Sequence, residues 1–443
     1  MLRLAGGVAV GAAGAGALAA SGGCEARSGD RSPTRAAPPG DVLVVELAAG
    51  ALAAIDATTG RVLVGAAPSV LSGDGTRLVR AEQPESGTRL TSHRLSDGAA
   101  VSGGTLTDRL AVRATSPDGS LVALATPAGA TPASTGSPGA NPAGPGTSPY
   151  RPAARERTTI VVAGSAGQRN RVELPGNLEP EAFDVSGHFL FVLDYLPPTA
   201  PDRYRVRAVD LASGQLQPLL TRVKTAVPGG AEEEMRGEGR QAVYDPRRRL
   251  LFTLYTHQPD HLHTRDLIAG ARPDAPHVHA FVHTLNLTER WAFCVDLPAP
   301  FGEQAAAGHA IALGPDGGTL YVVDATSGTV AAIDPDALTV SGTARFTPPA
   351  APATPAAVAF GGAGALLVGA GREVVTGSPT GGGSATRWST DSRVRGLAGT
   401  ADGARLYVGQ DGAVVRVDAA TGAVRRRINV PGLVALRQVV ARA

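Results

Sequence analysis

Cysteine and lysine are scarce in this chain of 443 residues, which has only Cys24, Cys294 and Lys224. Two cysteines allow at most one disulfide, so disulfide bonds do not define the fold. The 41 lysine and arginine residues are balanced by 39 acidic residues, which gives a formal net charge of +2. This composition provides no basic stripe that could displace counterions from a phosphate backbone, and it excludes nucleic acid as an expected partner.

Sequence signatures of several enzyme classes are also missing. The chain has no Gly-x-Ser-x-Gly elbow, no glycine-rich phosphate loop with a lysine, no His-Glu-x-x-His pair and no Cys-x-x-Cys pair. These motifs carry α/β-hydrolase nucleophiles, nucleotide phosphates and common zinc sites. No short sequence motif therefore identifies a reaction that this chain would catalyse.

The most prominent feature of the sequence is a motif that occurs twice. Leu-Tyr-Val-Val-Asp-Ala-Thr-Ser-Gly begins at Leu320, and Leu-Tyr-Val-Gly-Gln-Asp-Gly begins at Leu406. Looser copies extend from Asp41 to the C-terminus. Self-similarity with a period of roughly 40 to 50 residues is typical of a β-propeller. Radial repeats add blades to one body, so the sequence predicts a single all-β domain over residues 41–443.

The hairpin turns that open the repeats give the number of blades. Seven such turns, rich in Gly and Asp, lie at residues 72–75, 116–119, 185–187, 245–247, 314–317, 361–364 and 401–403. A further unit at 42–64 opens the domain without an inner strand. The apolar segment 433–441 can supply that strand, close the ring and remove a free sheet edge. The sequence predicts seven or eight four-stranded blades, and this count favours eight.

The hairpin between the third and fourth strands of several repeats has the form Asp-x-x-Thr-Gly and resembles that of known propeller repeats. Residues 54–60, 208–214 and 417–422 resemble YVTN-type and quinoprotein-like (WD-like) propeller repeats. The resemblance implies a propeller fold. In the quinoprotein pattern a tryptophan follows this motif and docks neighbouring blades, whereas Leu63, Leu216 and Arg425 stand in that region here. The resemblance therefore does not imply a quinone-dependent dehydrogenase.

The N-terminus resembles that of a bacterial lipoprotein. Residues 1–20 are mostly apolar after Arg3, and the Ser-Gly-Gly-Cys sequence ending at Cys24 resembles a lipobox. The resemblance implies a signal peptide over 1–23 and acylation of Cys24, which would anchor the chain on the extracytoplasmic side of the cell membrane. Residues 24–40 would form a flexible tether. Secretion without an anchor and an uncleaved anchor are the alternatives.

Long insertions are predicted to lie on one face of the propeller. Two kinds of connection emerge on the same face of a propeller with four-stranded blades. They are the connections between second and third strands and the links between blades. The insertions at 126–157, 197–203, 221–240 and 257–276 all belong to these two classes. The segment 126–157 is a low-complexity surface loop by composition. We expect a protein or small-molecule ligand to bind on this face.

Six of the nine histidines lie between His257 and His283. Because side chains alternate along a strand, His277, His279 and His283 are expected on one side of the third strand of blade 5. His257, His277, His279 and His309 would share one rim and are predicted as ligands of a divalent transition metal such as zinc. His261 and His263 are predicted to lie on an unconstrained part of the insertion. Structural packing and a pH-sensitive or substrate-contacting cluster are the alternatives.

Four charged residues are candidates for the mouth of the central channel, namely Glu238, Arg240, Asp194 and Asp324. Both aspartates end second strands, where a turn-capping role would also explain them. The run Glu232, Glu233, Glu234 is interpreted as a solvated link between blades. Cys294, inside an apolar segment, is interpreted as a small buried hydrophobic residue.

Together these features predict an exported, lipid-anchored propeller that acts as a binding or scaffold module. The alternative from another class is a metal-dependent hydrolase or lactonase that uses the histidine-rich rim of blade 5.

Overall fold

The computed structural model describes residues 40–47, 51–126, 153–236, 241–258, 261–271, 279–350, 355–377 and 386–441. The predicted signal peptide, Cys24 and nearly all of the tether lie outside these residues, as does most of the low-complexity loop. Over the described part the fold is all-β. Its single α-helix there, α1, covers Thr264–Ile268, and no described helix is long and apolar enough to span a membrane.

Six antiparallel four-stranded sheets and one seven-stranded sheet make up the described fold. The seven-stranded sheet has the order β31-β1-β2-β3-β4-β5-β6, with β1 (Val42–Leu47), β2 (Ala51–Asp56), β3 (Val62–Leu71), β4 (Arg77–Glu82), β5 (Thr88–Arg94), β6 (Ala100–Leu106) and β31 (Ala435–Val440). The next three sheets are meanders of β7 (Ala111–Thr115), β8 (Val122–Ala125), β9 (Arg157–Gly164) and β10 (Gly167–Pro175); β11 (Asn177–Phe183), β12 (Phe189–Leu196), β13 (Arg203–Asp210) and β14 (Leu216–Pro218); and β15 (Gln241–Asp245), β16 (Leu250–Thr256), β17 (Ala280–Asn286) and β18 (Ala292–Asp296). The last three are β19 (His309–Leu313), β20 (Leu320–Asp324), β21 (Thr329–Asp334) and β22 (Thr339–Arg345); β23 (Ala357–Phe360), β24 (Leu366–Ala370), β25 (Glu373–Gly377) and β26 (Thr386–Ser389); and β27 (Val394–Gly399), β28 (Leu406–Gln410), β29 (Ala413–Val417) and β30 (Val424–Asn429).

The strand β3 is shared by two groups of strands. Its first part pairs with β2, as in the Ile55–Val62 pair, whereas Ser69–Leu71 at its end pairs with β4. The strand therefore completes one four-stranded group and opens the next. A multi-blade propeller is confirmed, while the choice between seven and eight blades stays a prediction.

The C-terminal strand closes the domain as predicted. β31 pairs antiparallel with β1, with Val42 opposite Val440 and Val45 opposite Leu436. Leu436 packs in one apolar cluster with Leu43 and Val45. This pairing covers the edge of β1, which would otherwise present unpaired backbone groups.

The core lies between neighbouring sheets. In β12, Leu190 and Val192 pack towards the β7–β10 sheet, whereas Phe191 and Leu193 pack towards the β15–β18 sheet. This alternation follows from the two-residue period of a strand. Because each sheet is covered on both faces, inner strands are apolar on both sides rather than amphipathic.

The hairpins between the third and fourth strands of the repeats are stabilised by the same hydrogen bonds. Asp56 Oδ1 accepts hydrogen bonds from the backbone N–H groups of Thr58 and Thr59, at 2.8 and 2.7 Å. Asp418 does the same for Ala420 and Thr421. The glycine that follows has a positive φ, 76° at Gly60, which is the conformation that glycine adopts without strain.

The described parts of the four insertions contact one another in sequence. The Arg155 N–H donates to the Pro198 carbonyl at 3.0 Å, and Arg203 Nε donates to Glu234 at 2.5 Å. The Thr264 N–H in turn donates to Glu233 at 3.3 Å. The predicted grouping of the insertions on one face agrees with these contacts.

Candidate metal centre

The link between the β11–β14 and β15–β18 sheets runs as an additional edge strand. Met235 forms a backbone bridge with Tyr204 of β13, and Glu232 pairs with Arg205 and Arg207 of the same strand at 3.1 and 3.0 Å. Glu233 therefore points away from those arginines, towards β17 and β18. The prediction of a solvated charge run is wrong for Glu232 and Glu233, which are half-buried and buried, and only Glu234 is exposed.

The turn before α1 places two histidines in the interior. The His263 backbone N–H donates to Asp266 Oδ2 at 3.0 Å, which fixes the start of the helix. The His261 ring stacks on Phe281 at 4.4 Å, and the His263 ring meets the same phenyl ring edge-on at 4.8 Å. Both histidines are buried. The prediction that they lie on an unconstrained part of the insertion is wrong, because Phe281 and α1 hold them.

The third and fourth strands of the sheet supply two more groups. His283 in β17 and Cys294 in β18 are cross-strand partners, so their side chains lie on the same face. The His283 Nδ1 atom is 3.4 Å from the Cys294 sulfur. Both residues are buried, as the sequence predicted for Cys294.

These side chains converge on the Glu233 carboxylate. Its Oε1 lies 2.9 Å from His283 Nδ1, and its Oε2 lies 3.5 Å from His263 Nδ1 and 3.8 Å from His261 Nε2. The Cys294 sulfur is 3.4 Å from both oxygens. We call Glu233, His261, His263, His283 and Cys294 the Glu233 cluster. All five are at most 9% exposed.

The Glu233 cluster contains two sets of possible metal ligands. One set is Glu233, His261 and His263, and the other is Glu233, His283 and Cys294. Within each set the ligand atoms lie within 4.8 Å of one another. Imidazole nitrogen, thiolate sulfur and carboxylate oxygen are the donors that zinc binds in proteins.

Two of the histidines are oriented by outer partners. His261 Nδ1–H donates to the Glu234 carbonyl at 3.0 Å, and His263 Nε2–H donates to Asp296 Oδ1 at 2.7 Å. The remaining nitrogens, His261 Nε2 and His263 Nδ1, are 3.1 Å apart and point to the centre of the cluster. Metal-binding histidines show this arrangement, because the outer hydrogen bond selects the tautomer that leaves a lone pair for the ion.

Without a cation, hydrogen bonds between the side chains hold the Glu233 cluster together. Burial alone would raise the pKa of Glu233, but hydrogen bonds from His261, His263 and His283 outweigh it and hold this pKa well below its usual range. Burial lowers the pKa of His263, yet its bonds to Asp296 and Glu233 raise that pKa to about 9. Burial and the neighbouring Glu233 charge raise the pKa of the Cys294 thiol.

The histidines predicted from the sequence as metal ligands are arranged differently. The His257 and His309 rings lie 6.5 Å apart, edge to face, at the expected rim. Both His309 nitrogens contact backbone groups, since Nδ1–H donates to the Ala305 carbonyl and Nε2 accepts from the Gly302 N–H. The His279 side chain is exposed, and His277 lies outside the described residues. A metal site at this rim stays a prediction.

The channel-mouth candidates are only partly described. Glu238 and Arg240 lie outside the described residues. Asp194 is buried at the end of β12 and accepts a hydrogen bond from Arg205 at 3.0 Å. Asp324 at the end of β20 accepts from the backbone N–H groups of Thr326 and Ser327, and its other oxygen lies 4.0 Å from His309 Nε2. Asp324 therefore caps a turn and also faces His309.

No family model and no curated protein matches this chain. Solved structures of similar fold include apo AztD from Citrobacter koseri, 11% identical, covering 91% of this chain and 98% of that chain with a TM-score of 0.49. The dihydro-heme d1 dehydrogenase NirN in complex with DHE is 14% identical, covering 90% and 76% of the two chains with a TM-score of 0.44. The periplasmic gluconolactonase PpgL from Pseudomonas aeruginosa is 17% identical, covering 83% and 99% with a TM-score of 0.39. At these identities and TM-scores, nothing about the function of this chain follows from the likeness.

Proposed function

We propose that this chain is a metal-binding propeller whose ligand is a transition-metal ion of the zinc class, held by the Glu233 cluster. One observation carries the proposal: three imidazoles, a thiol and a carboxylate converge in the interior, and their ligand atoms face one another. These groups come from three separate segments, namely the link at Glu233, the turn before α1 and the β17–β18 hairpin.

The donor types select the class of metal. Thiolate and imidazole ligands suit zinc, copper and iron, whereas magnesium and calcium take oxygen ligands. Zinc requires no redox partner and accepts a mixed set of nitrogen, sulfur and oxygen donors at tetrahedral geometry. Zinc is therefore the ion that we expect under ordinary conditions.

Burial gives a physical reason for a cation at this position. An ionised carboxylate is costly to bury unless it is paired, and here it is paired with groups that share their protons with it. A divalent ion would compensate the Glu233 charge directly and would deprotonate the Cys294 thiol on binding. The outer bonds of His261 and His263 are already those of the metal-bound tautomers.

For the cellular location we propose export and attachment to the outer side of the cell membrane through acylated Cys24. The apolar N-terminal segment and the lipobox-like sequence support this proposal. In this setting the insertion-bearing face would be available to an extracytoplasmic partner. Incorporation of labelled fatty acid into the wild-type chain, and its loss in Cys24→Ser, would test the anchor separately from the metal.

Elemental analysis of the full chain tests metal binding. The protein is solubilised in detergent, purified without a histidine tag and dialysed against a weak chelator. We expect close to one zinc equivalent in the wild type and loss of that zinc in the double variant His261→Gln, His263→Gln. The matched control is His257→Gln, His279→Gln, which removes two histidines of the sequence-predicted rim and should retain the metal.

Two outcomes would contradict the proposal. A wild-type protein that remains metal-free after incubation with zinc would show that protons and packing alone hold the cluster. Loss of zinc in the rim variant, with retention in the His261 and His263 variant, would move the site to the rim.

A further inference from the structure

Exposed arginines and valines are concentrated where the first and last sheets of the domain meet. Arg61 and Val62 follow the hairpin between β2 and β3, and Val424, Arg425 and Arg426 follow the hairpin between β29 and β30. All five residues are exposed, with Val62 at 57% and Val424 at 52%. We call these five residues the basic patch.

The two hairpins that carry the basic patch are in contact. The Arg426 guanidinium donates a hydrogen bond to the Thr58 carbonyl, which lies in the hairpin before Arg61. A Cβ atom added to Gly60 of that hairpin would lie 3.8 Å from Ile428 Cγ2 of β30. The patch is therefore one surface, although its residues are far apart in the sequence.

The exposed side chains of the patch carry an excess of positive charge. Arg425 pairs with Asp418 at 3.0 Å, whereas the partner of Arg426 is a neutral carbonyl. Arg61 has no acidic partner among the described residues. The Asp56 carboxylate in the same hairpin is only 5% exposed and is bound by backbone N–H groups. Three arginines thus face solvent with one paired carboxylate between them.

The polypeptide enters the domain next to the basic patch. Gly40 precedes β1 and packs so closely against Thr58 that a Cβ atom on it would clash with the Thr58 hydroxyl. Thr58 is also the residue that binds Arg426. Gly40 is 16 residues after Cys24, and a chain of that length reaches at most about 55 Å. An acylated Cys24 would therefore keep the patch close to the membrane surface.

We infer that the basic patch docks on an anionic phospholipid surface, with its arginines at the headgroups and its valines at the boundary with the acyl chains. The inference goes beyond the metal site and rests on the proposed attachment through Cys24. Basic residues beside a membrane anchor are attracted to anionic lipids, and apolar residues among them enter the interface. A soluble polyanion would pair with the arginines but would leave Val62 and Val424 exposed. Docking would fix the orientation of the propeller on the membrane.

Vesicle flotation tests the basic patch in the absence of an acyl anchor. The chain 25–443 is used, because it keeps every described residue and the β31–β1 pairing that closes the domain. It is floated with vesicles of phosphatidylcholine alone and with vesicles of equal parts phosphatidylcholine and phosphatidylglycerol. We expect binding only to the anionic vesicles, and release at high salt, because salt screens the attraction between charges.

Charge removal at the patch should weaken this binding. The variant Arg61→Gln, Arg425→Gln, Arg426→Gln should bind at least about tenfold more weakly, since each basic residue at an anionic surface contributes about fivefold. The matched control is Arg89→Gln, Arg169→Gln, Arg345→Gln, which removes the same charge from exposed arginines of β5, β10 and β22. One of these three pairs with a carboxylate and one with a backbone carbonyl, as in the patch. This control should bind like the wild type.

Three outcomes would overturn the inference. They are a wild-type chain that does not bind anionic vesicles, an equal loss of binding in the two triple variants, and binding of soluble polyphosphate in preference to the vesicles. The last outcome would assign the patch to a polyanion. None of them bears on the Glu233 cluster, and both triple variants should keep their zinc. Absence of fatty acid on Cys24 would overturn the proposed attachment and leave the vesicle result standing.

Discussion

The indole of Trp388, on the outer strand of one sheet, lies against Gly422 in a hairpin of the next sheet. Its Nε1–H donates to the Ala419 carbonyl at 3.3 Å. A Cβ atom added to Gly422 would lie 2.5 Å from Trp388 Cδ2, and Gly422 has a φ of 73°. Gly422 is thus required both by its backbone conformation and by the close approach of the tryptophan.

Replacing Gly422 by alanine should destabilise the protein by two separable effects. A left-handed conformation costs a non-glycine residue about 1–2 kcal/mol. A clash with a packed side chain adds about 1–3 kcal/mol. The control is Gly412→Ala, since Gly412 has a φ of 75° and nothing lies within 4 Å of an added Cβ. Urea unfolding should show a larger loss for Gly422→Ala than for Gly412→Ala. Equal losses would mean that the contact with Trp388 is unimportant.

Asp296 should matter for metal binding although it is not a proposed ligand. It accepts the hydrogen bond from His263 Nε2–H and so fixes the tautomer that presents Nδ1 to the ion. Removing such an outer partner lowers metal affinity by about 10–100-fold. We expect this loss in Asp296→Asn, measured by competition with a chromophoric chelator. Asp391→Asn, which changes an exposed partner of Arg427, should leave the affinity unchanged. An unchanged affinity in Asp296→Asn would contradict the assigned role of His263.

Zinc should stabilise the folded chain through the Glu233 cluster. An ion that binds only the folded state at 100 times its Kd stabilises it by about 2.7 kcal/mol. Cys294→Ala removes one donor while keeping a small apolar side chain in the core. We therefore expect chemical unfolding of the wild type, with and without a strong chelator, to show this difference, and Cys294→Ala to show a smaller one. A difference of the same size in the variant would exclude Cys294 from the ligand set.

The fold was largely predictable because it depends on local, repeated signals. Asp-x-x-Thr-Gly hairpins and the hairpin turns of the repeats each specify a strand pairing within about 40 to 50 residues. The apolar segment near Leu436 is the exception, because it pairs with β1 at the other end of the chain. The packing of the two tryptophans was not predictable from these signals. Tryptophan does not follow three of the hairpin motifs, yet Trp388 and Trp291 both pack on the next sheet, Trp291 in a cluster with Ile333 and Leu338.

The metal centre was not predictable in the same way, because its residues come from segments without a repeat pattern. Glu233 lies on a link, and nothing local indicates that the link runs along β13 and turns this carboxylate inward. His261 and His263 become buried only through Phe281 and α1. One signal was present: the turn from Asn286 to Trp291 fixes the hairpin register, which sets His283 opposite Cys294. Counting outward from that turn would have singled out this pair.

His309 should make the stability of the protein fall in mildly acidic solution. Burial, opposed by the nearby Asp324 and reinforced by His257, lowers the pKa of His309 below its usual value of 6.5. Its ring is held as a neutral group, with Nδ1–H donating to Ala305 and Nε2 accepting from Gly302. Protonation would remove the acceptor at Nε2.

The direction of the pH effect follows from this lowered pKa. Above pH 6.5 the imidazole is neutral in both folded and unfolded chains, so its full contribution to stability is present. As the pH falls below 6.5, the unfolded chain binds a proton that the folded chain does not, and stability is lost by up to about 1.4 kcal/mol per pH unit. Other groups also titrate in this range, so the measurement is a difference between variants. The free energy of unfolding between pH 7 and pH 5 should fall less steeply in His309→Gln than in the wild type, and the exposed His188→Gln should keep the wild-type slope. Equal slopes in all three proteins would mean that His309 accepts a proton in the folded chain as readily as in the unfolded one.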